Sequence, residues 1–215
     1  MAIRVLPYEF PDAALFSGTG NGILIWKPDR IYIVLGQSNT PEGSLLVENV
    51  IADHIIVTKR PTGGEAVVLS PQMIVITVAR HFAEITSSKA FFSEINSVII
   101  DSLADVGVKG LGLKGISDIA IGKRKILGSS MHRRENRMVY HAVLNISENP
   151  ALFERYLLHP KREPDYRGNR IHSEFVTSLS NEGYEIYYGS ITKTLYSYMN
   201  MILPSQVSMF LPYHS

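Results

Sequence analysis

The sequence of 215 residues contains no cysteine, which excludes disulfides, thiolate metal sites and any mechanism with a thiol nucleophile. It also has no long apolar run. The longest largely apolar stretch, Met73–Ala79, is far shorter than the roughly 20 residues that a membrane-spanning helix needs. Pro7 and Glu9 interrupt the N-terminus before the apolar core of a secretion signal can form. We therefore expect a soluble, cytoplasmic protein without a membrane partner.

The sequence also has little net charge. Its 21 basic and 20 acidic residues give +1, so no global affinity for polyanions is expected. The charge is nevertheless unevenly placed, because residues 120–172 contain 11 Lys or Arg and five Asp or Glu, a local excess of +6. Such a field suits a phosphate-bearing ligand or an acidic protein partner, and a solvated basic face explains it equally well.

Hydrophobic residues make up 45% of the chain and charged residues 19%, which is typical of a globular protein. Apolar spacing predicts helices at 41–52, 91–103, 150–157, 173–179 and 191–203. Runs of β-branched and aromatic residues predict strands at 22–26, 31–35, 54–59, 65–69, 73–79, 108–111, 116–121, 125–132 and 138–146. The strands at 65–69 and 73–79 are predicted to pair as a hairpin.

Strands dominate this pattern, and many of the connections between them are short. An α+β (α/β) fold, with a mixed, largely antiparallel sheet packed with helices, therefore fits better than a doubly wound parallel sheet. No change in composition marks a linker, so we expect residues 1–215 to form a single domain.

The segment 59–68, Lys-Arg-Pro-Thr-Gly-Gly-Glu-Ala-Val-Val, lies between two predicted strands. Gly63 and Gly64 allow backbone amides to approach a phosphate or carboxylate closely, and Arg60 can add guanidinium donors. The segment is not a P-loop, because no Gly-Lys-Ser/Thr follows, and it does not match the dinucleotide fingerprint. A tight turn without a ligand accounts for the same residues.

A second segment, 115–134, is predicted to form two strands joined by a turn at Gly122-Lys123. Strict alternation divides the second strand into two faces: Lys125, Leu127 and Ser129 on one, and Ile126, Gly128 and Ser130 on the other. A lysine beside glycine and serine can hold a phosphate or polarise a carbonyl group. A solvent-exposed basic hairpin is the alternative.

Two further segments contain side chains that could bind a ligand or take part in a reaction. His141 lies on the next predicted strand, where a lone histidine is more often structural than catalytic. The segment 159–172 is predicted to be a loop, because it contains two prolines and a glycine. Its arginines can make bidentate contacts, or they can belong to a solvated surface loop.

Together, the order and spacing of these segments resemble the lipoate–protein ligase family, which is related to the biotin ligases and the lipoyl/octanoyl transferases. The shared elements are the Arg-x-Ser/Thr-Gly-Gly turn, an Asn/Ser-Asp pair, Gly-Lys-x-x-Ile-x-Gly-Ser and a strand with a histidine, found here at 60–67, 117–118, 122–129 and 138–145. The strand 31–36 and the following Gln37-Ser38-Asn39 also resemble a family element. The resemblance covers roughly residues 20–180.

The resemblance implies an enzyme that converts lipoate or octanoate with ATP to acyl-AMP and transfers the acyl group to a lysine of an acidic lipoyl-carrier domain. Lys125 matches the family lysine that holds the acyl carbonyl and the phosphate, and Asp118 a position near the nucleotide and Mg²⁺, and hence a candidate metal ligand. The other residues implied in binding substrate or acyl-adenylate are Arg60, Thr62, Gly63, Gly64, Ala66, Val67, Ser117, Gly128, Ser129 and His141. The residues expected to line the acyl slot are Val67, Val68, Ile74, Val75 and Ile76.

Two departures from the family pattern leave alternatives. Glu65 takes the place of a third glycine, where a carboxylate would repel an anionic ligand unless it points away. The chain is also expected to lack the small C-terminal accessory domain that family ligases often carry. It is then a catalytic part that needs a separate accessory subunit, a self-sufficient short form, or an inactive relative that binds the lipoyl ligand or the carrier domain.

The absence of cysteine decides between the reaction types found in this superfamily. Transfer through a cysteine thioester is excluded, which leaves ATP-driven ligation ahead of a non-cysteine acyltransferase. Biotin ligase is less favoured, because its basic glycine–arginine loop has no match here. Nucleic acid is not expected as a partner, since the basic segments 123–137 and 161–170 contain few aromatic residues.

Overall fold

The computed structural model describes residues 2–84, 86–203 and 208–209. Its strands are β1 (Val5–Pro7), β2 (Gly22–Trp26), β3 (Tyr32–Leu35), β4 (Ile56–Lys59), β5 (Val67–Leu69), β6 (Met73–His81), β7 (Leu111–Lys114), β8 (Asp118–Ile121), β9 (Arg124–Arg134), β10 (Arg137–Asn145) and β11 (Ser208–Met209). Its helices are α1 (Ala13–Ser17), α2 (Pro41–Ser44), α3 (Val47–Ala52), α4 (Ser88–Asp105), α5 (Ala151–Tyr156), α6 (His172–Phe175) and α7 (Tyr188–Ile202).

The strands form two sheets. The larger has the order β11-β2-β6-β10-β9-β8-β7, and all of its pairs are antiparallel except β11–β2. The smaller has the order β1-β4-β3-β5, with parallel pairs β1–β4 and β3–β4 and an antiparallel pair β3–β5. This mixed, largely antiparallel arrangement with packed helices confirms the predicted fold class.

The larger sheet is covered on both faces. On one face α4 and α7 bury the apolar residues of β2, β6, β9 and β10 in the main core. On the other face, Trp26 and Val75 of the larger sheet pack with Val34 and Leu69 of the smaller sheet. This second face also carries His141 and Val143, and it forms one wall of the cavity described below.

The predicted hairpin of 65–69 and 73–79 is wrong, although both strands exist. β5 pairs with β3 in the smaller sheet, whereas β6 lies between β2 and β10 in the larger one. The chain turns between the sheets at Ser70, whose carbonyl oxygen accepts from the amide of Met73. Alternation of apolar residues identifies a strand but does not select its partner.

The predicted single helix at 41–52 is also wrong. It is divided into α2 and α3 because Leu45 pairs with Leu157 in an isolated bridge and the Leu46 amide donates to the Tyr156 carbonyl. These backbone contacts with the end of α5 replace the helical hydrogen bonds between α2 and α3. No helix in the described part of the chain is long and apolar enough to cross a membrane.

A β-bulge in β9 changes which side chains share a face. Ile119 is paired with Leu127 and Ala120 with Lys125, so Ile126 is an extra residue without a partner in β8. The alternation predicted for this strand is therefore wrong, because a bulge shifts the sequence that follows it by one position. As a result, Lys125 extends over Gly128 rather than lying on the face of Leu127.

Candidate functional site

A cavity of about 640 Å³ opens beside the second face of the larger sheet. Its apolar part is lined by Val67, Val68, Met73, Val143, Phe153 and Leu157. Its polar part contains Lys125, Asp118 and the loop that follows α5. Ile74, Val75 and Ile76, which were expected to line an acyl slot, do not line it, because they are buried in the cores on either side of β6.

Lys125 and Asp118 form the charged centre of the polar part. The Lys125 ammonium lies 2.9 Å from Oδ1 of Asp118, and the hydroxyl of Tyr166 donates to Oδ2 at 2.8 Å. The hydroxyl of Ser117 adds a contact of 3.3 Å to Oδ1. Burial, followed by the charge of Asp118, raises the pKa of Tyr166, so this phenol remains a donor. Both carboxylate oxygens are therefore held in place.

The Lys125 ammonium retains donors for a ligand. An ammonium has three N–H donors, and its ion pair with Asp118 uses one of them. Gly128 makes room for the side chain, because a Cβ at this position would lie 2.6 Å from both Cε and Nζ of Lys125. The side chain of Lys125 is 27% exposed, so its charge is accessible from the cavity.

Arg60 stabilises the glycine turn, residues 62–64, by hydrogen bonds from its guanidinium. Its guanidinium donates to the Thr62 hydroxyl at 2.7 Å and to the carbonyls of Val34, Gly63 and Glu65 at 3.1, 2.8 and 2.9 Å. Burial lowers the pKa of Arg60 to about 10, so the group is still charged at neutral pH. Four of its five N–H donors are used within the protein, and the turn is thus shaped before any ligand binds.

The conformation of this turn and its packing on β3 each require a glycine, Gly64 in the turn and Gly36 after β3. Gly64 has φ of +90°, a conformation that residues with a Cβ rarely adopt. A Cβ on Gly36 would lie 1.9 Å from the Gly64 carbonyl oxygen, so the turn packs directly on the end of β3. Glu65 lines the cavity, and an oxygen of its carboxylate lies 3.5 Å from the side-chain nitrogen Nδ2 of Asn39.

Replacement of Arg60 by alanine is expected to destabilise the protein by about 3 kcal/mol or more, because several buried carbonyls lose a charged donor. Urea unfolding of the variant and the wild type measures the difference. Lys59→Ala, an exposed neighbour, is the control and is expected to change stability by less than about 0.5 kcal/mol. Equal stability of Arg60→Ala and the wild type would contradict this role.

His141 belongs to a buried polar cluster next to the cavity. Its Nε2 lies 3.1 Å from the hydroxyl of Tyr8 and 3.4 Å from Oδ2 of Asp12. Asp12 is fully buried and accepts from the hydroxyls of Tyr8 and Thr77. Burial lowers the pKa of His141 to about 4, so the ring is neutral at physiological pH.

This cluster predicts a loss of stability in mild acid. His141 takes up a proton near pH 6.5 in the unfolded chain but only near pH 4 in the folded one, so stability is present above pH 6.5 and falls as the pH drops to 4. Between pH 7 and pH 5 the expected loss from this group is about 2 kcal/mol. Urea unfolding at both pH values measures it, and His141→Gln should flatten the difference. An unchanged pH dependence in the variant would contradict it.

The structure brings most of the sequence-predicted residues to one cavity. Of the residues expected to hold the catalytic lysine's role or to bind substrate or acyl-adenylate, all line it except Thr62 and Gly63, which lie in the neighbouring turn. Thr62 contacts the hydroxyl of Ser130 at 2.9 Å, and Ser129 donates to the Ser117 carbonyl at 2.6 Å, so both hold the site together rather than face a ligand. Sequence reasoning missed Tyr166, which lies in the arginine-rich loop (residues 159–172), and Phe175, which follows that loop. No other feature of the sequence singled out these two residues.

The predicted metal role of Asp118 remains a prediction. No group of three or more His, Cys, Asp or Glu side chains in the described residues is arranged to hold a metal ion. Mg²⁺ is often bound through one carboxylate and substrate phosphates, which Asp118 alone can satisfy. To do so, Asp118 has to share its oxygens with Lys125 or Tyr166.

Comparisons with known proteins identify relatives for this arrangement. The model of the lipoyl protein ligase A/B catalytic domain family matches residues 14–198. A lipoate-protein ligase A of Psychrobacter cryohalolentis is 24% identical over 135 residues, which cover 63% of this chain and 38% of the relative. The chain thus spans well under half the length of that relative.

Solved structures support the fold. A lipoate-protein ligase A bound with ATP has a TM-score of 0.76 at 16% identity, covering 98% of this chain and 88% of the other. A protein of Thermoplasma acidophilum with bound lipoic acid has a TM-score of 0.75 at 16% identity, covering 99% and 91%. A bi-partite lipoate protein ligase of the same organism, described with its E2 lipoyl domain, has a TM-score of 0.78 at 16% identity, covering 99% and 88%.

Proposed function

The chain belongs to the lipoyl protein ligase A/B catalytic domain family, a family of ligases, and on this basis we propose that it activates lipoate or octanoate with ATP and transfers the acyl group to a lysine of a lipoyl-carrier domain. The observation that carries the proposal is a single cavity with an apolar part and a Lys125–Asp118 pair in its polar part. An acyl-adenylate needs both, since it combines an aliphatic chain with a phosphate and a polarised carbonyl.

The two steps of the reaction use the same ammonium. In the first step a carboxylate oxygen of the acid attacks the α-phosphorus of ATP, and pyrophosphate leaves. In the second the amine of a carrier lysine attacks the acyl carbonyl, and AMP leaves. The free donors of Lys125 can contact the α-phosphate and the carbonyl oxygen, where negative charge develops in both steps. A covalent thioester does not form on this chain, because its 215 residues include no cysteine.

The proposed protein partner is an acidic lipoyl-carrier domain. The segment 120–172, with its excess of +6, contributes β9 and the loop after α5 to the cavity, so part of this basic segment borders the site of transfer. Complementary charge would speed the encounter with such a domain. ATP would bring Mg²⁺ on its phosphates, with Asp118 as the proposed carboxylate ligand. A separate accessory subunit for the transfer step also remains part of the proposal.

Exchange of labelled pyrophosphate into ATP tests the activation step by itself. The proposal predicts exchange that depends on lipoate or octanoate, because pyrophosphate re-forms ATP only from a bound acyl-adenylate. Omission of the acid is the control, and it should remove the exchange. Exchange that proceeds equally without an acid, or no exchange in a folded protein, would contradict the proposal.

A further inference from the structure

The arginine-rich loop contains a buried cation with an unused donor. Arg167 is 4% exposed and lines the cavity. Its Nε donates to the Arg170 carbonyl at 2.9 Å and lies 3.3 Å from a carboxylate oxygen of Glu163. Its Nη2 is buried and has no hydrogen-bond partner among the residues that the structure describes. Buried donors in proteins are nearly always satisfied, so this nitrogen is left for a water or a ligand oxygen.

Three cations surround one aromatic ring at this place. The guanidinium carbons of Arg167 and Arg170 lie 4.8 and 5.3 Å from the ring centroid of Phe175, and the ammonium of Lys125 lies 5.9 Å from it. Asp118 and Glu163 each lie beside one of these cations, so the cluster keeps an excess of one positive charge, which a bound anion would offset. The cluster also adjoins the Lys125–Asp118 pair, because Lys125 belongs to both.

The two arginines have different tasks. Arg170 donates to the carbonyls of Lys123, Tyr166, Arg167 and Glu174 at 3.0, 2.9, 2.9 and 3.3 Å, and so joins the loop to the β8–β9 turn. It is a positioning residue. Arg167 instead lines the cavity with its Nη2 unpaired among the described residues, in a loop that Arg170 holds in place. The preorganised donor is therefore that of Arg167.

On the premise of the proposed function, we propose that Arg167 binds the pyrophosphate part of ATP, the two phosphates that leave when the acyl-adenylate forms. The single phosphate of the acyl-adenylate can be held by Lys125, which has donors left for it. ATP carries two further phosphates in a row, and a second buried cation near the same ring suits them. Arginine is well matched to phosphate because its planar fork presents paired donors.

Calorimetric titration of the full chain with inorganic pyrophosphate and, separately, with lipoyl-AMP tests this assignment. Arg167→Gln is expected to weaken pyrophosphate binding by about 10- to 100-fold, the loss of a charged hydrogen bond, and lipoyl-AMP binding by no more than about threefold. Lys161→Gln is the control, because Lys161 is an exposed cation of the same loop outside the cavity lining. It should leave both affinities unchanged.

Arg167→Lys keeps the charge and is the second variant if Arg167→Gln does not fold. It is expected to weaken pyrophosphate binding by a smaller factor, about 3- to 10-fold, because the fork is lost while the charge remains. Unchanged pyrophosphate affinity in the folded variants would overturn the assignment. Equal weakening of pyrophosphate and lipoyl-AMP would also overturn it, since Arg167 would then contact the phosphate that is retained.

The same titrations separate this inference from the proposed function. If wild-type protein binds pyrophosphate through Arg167 but does not bind lipoyl-AMP, the anion site stands and the proposed function fails. If wild-type protein binds lipoyl-AMP but not pyrophosphate, the proposed function stands and the anion site is overturned.

Discussion

Replacement of Lys125 by alanine is expected to lower the rate of acyl-AMP formation by about 10²- to 10³-fold, the usual cost of removing a preorganised charge from a transition state. The ammonium is the group in the cavity that is both paired with Asp118 and left with free donors. The fold should survive, because Asp118 retains its hydrogen bonds from Tyr166 and Ser117. Acid-dependent pyrophosphate release measures the rate.

Lys123→Ala is the matched control for this prediction. Lys123 is an exposed lysine in the same hairpin and lies outside the cavity lining, and its contact with Arg170 uses only its carbonyl. It should retain nearly full activity. Full activity of Lys125→Ala, or an equal loss in both variants, would remove Lys125 from its assigned role.

Replacement of Gly128 by alanine is expected to lower activity by about 10²-fold with little change in the fold, because a small displacement of a catalytic group is costly. The added Cβ would overlap Cε and Nζ of Lys125, each 2.6 Å away, and the flexible lysine side chain would have to move. Acid-dependent pyrophosphate release measures activity, and the thermal midpoint reports the fold.

Gly112→Ala in β7 is the matched substitution, since a Cβ there would meet nothing within 4 Å. It should leave the rate unchanged. The double variant Gly128→Ala/Lys125→Ala should be no slower than Lys125→Ala alone, because both changes act through the same ammonium. Additive losses would show that Gly128 serves another purpose.

The sequence predicted the strands of this fold better than their partners. Periodicity located β5 and β6, but their separation into two sheets depends on contacts between distant residues, such as Val34 of β3 with Val67 of β5. The bulge at Ile126 could not be predicted from the sequence either, because neither Ile126 nor its two neighbours in the chain is a glycine or a typical turn residue. It decides where Lys125 points, so alternation alone assigned the residue to the wrong face.

In the candidate site, too, local patterns could be predicted from the sequence, whereas contacts between distant residues could not. The residues of the glycine turn and of β9 could be named because each lies in a compact local pattern. The Tyr166–Asp118 contact joins residues 48 positions apart, and the sequence offered no periodicity or spacing to connect them. Arg60 was expected near a ligand, whereas its donors hold the turn itself, a distinction that only the three-dimensional contacts provide.

The most direct test of the proposed function is incubation of the purified chain with ATP, Mg²⁺, lipoate and an isolated lipoyl domain, followed by pyrophosphate assay and intact-mass analysis of the domain. Release of pyrophosphate without acylation of the domain would retain the activation step and assign transfer to a second polypeptide. The account predicts release together with a mass increase of one lipoyl group on the domain. A folded protein that binds lipoyl-AMP but releases no pyrophosphate would contradict it.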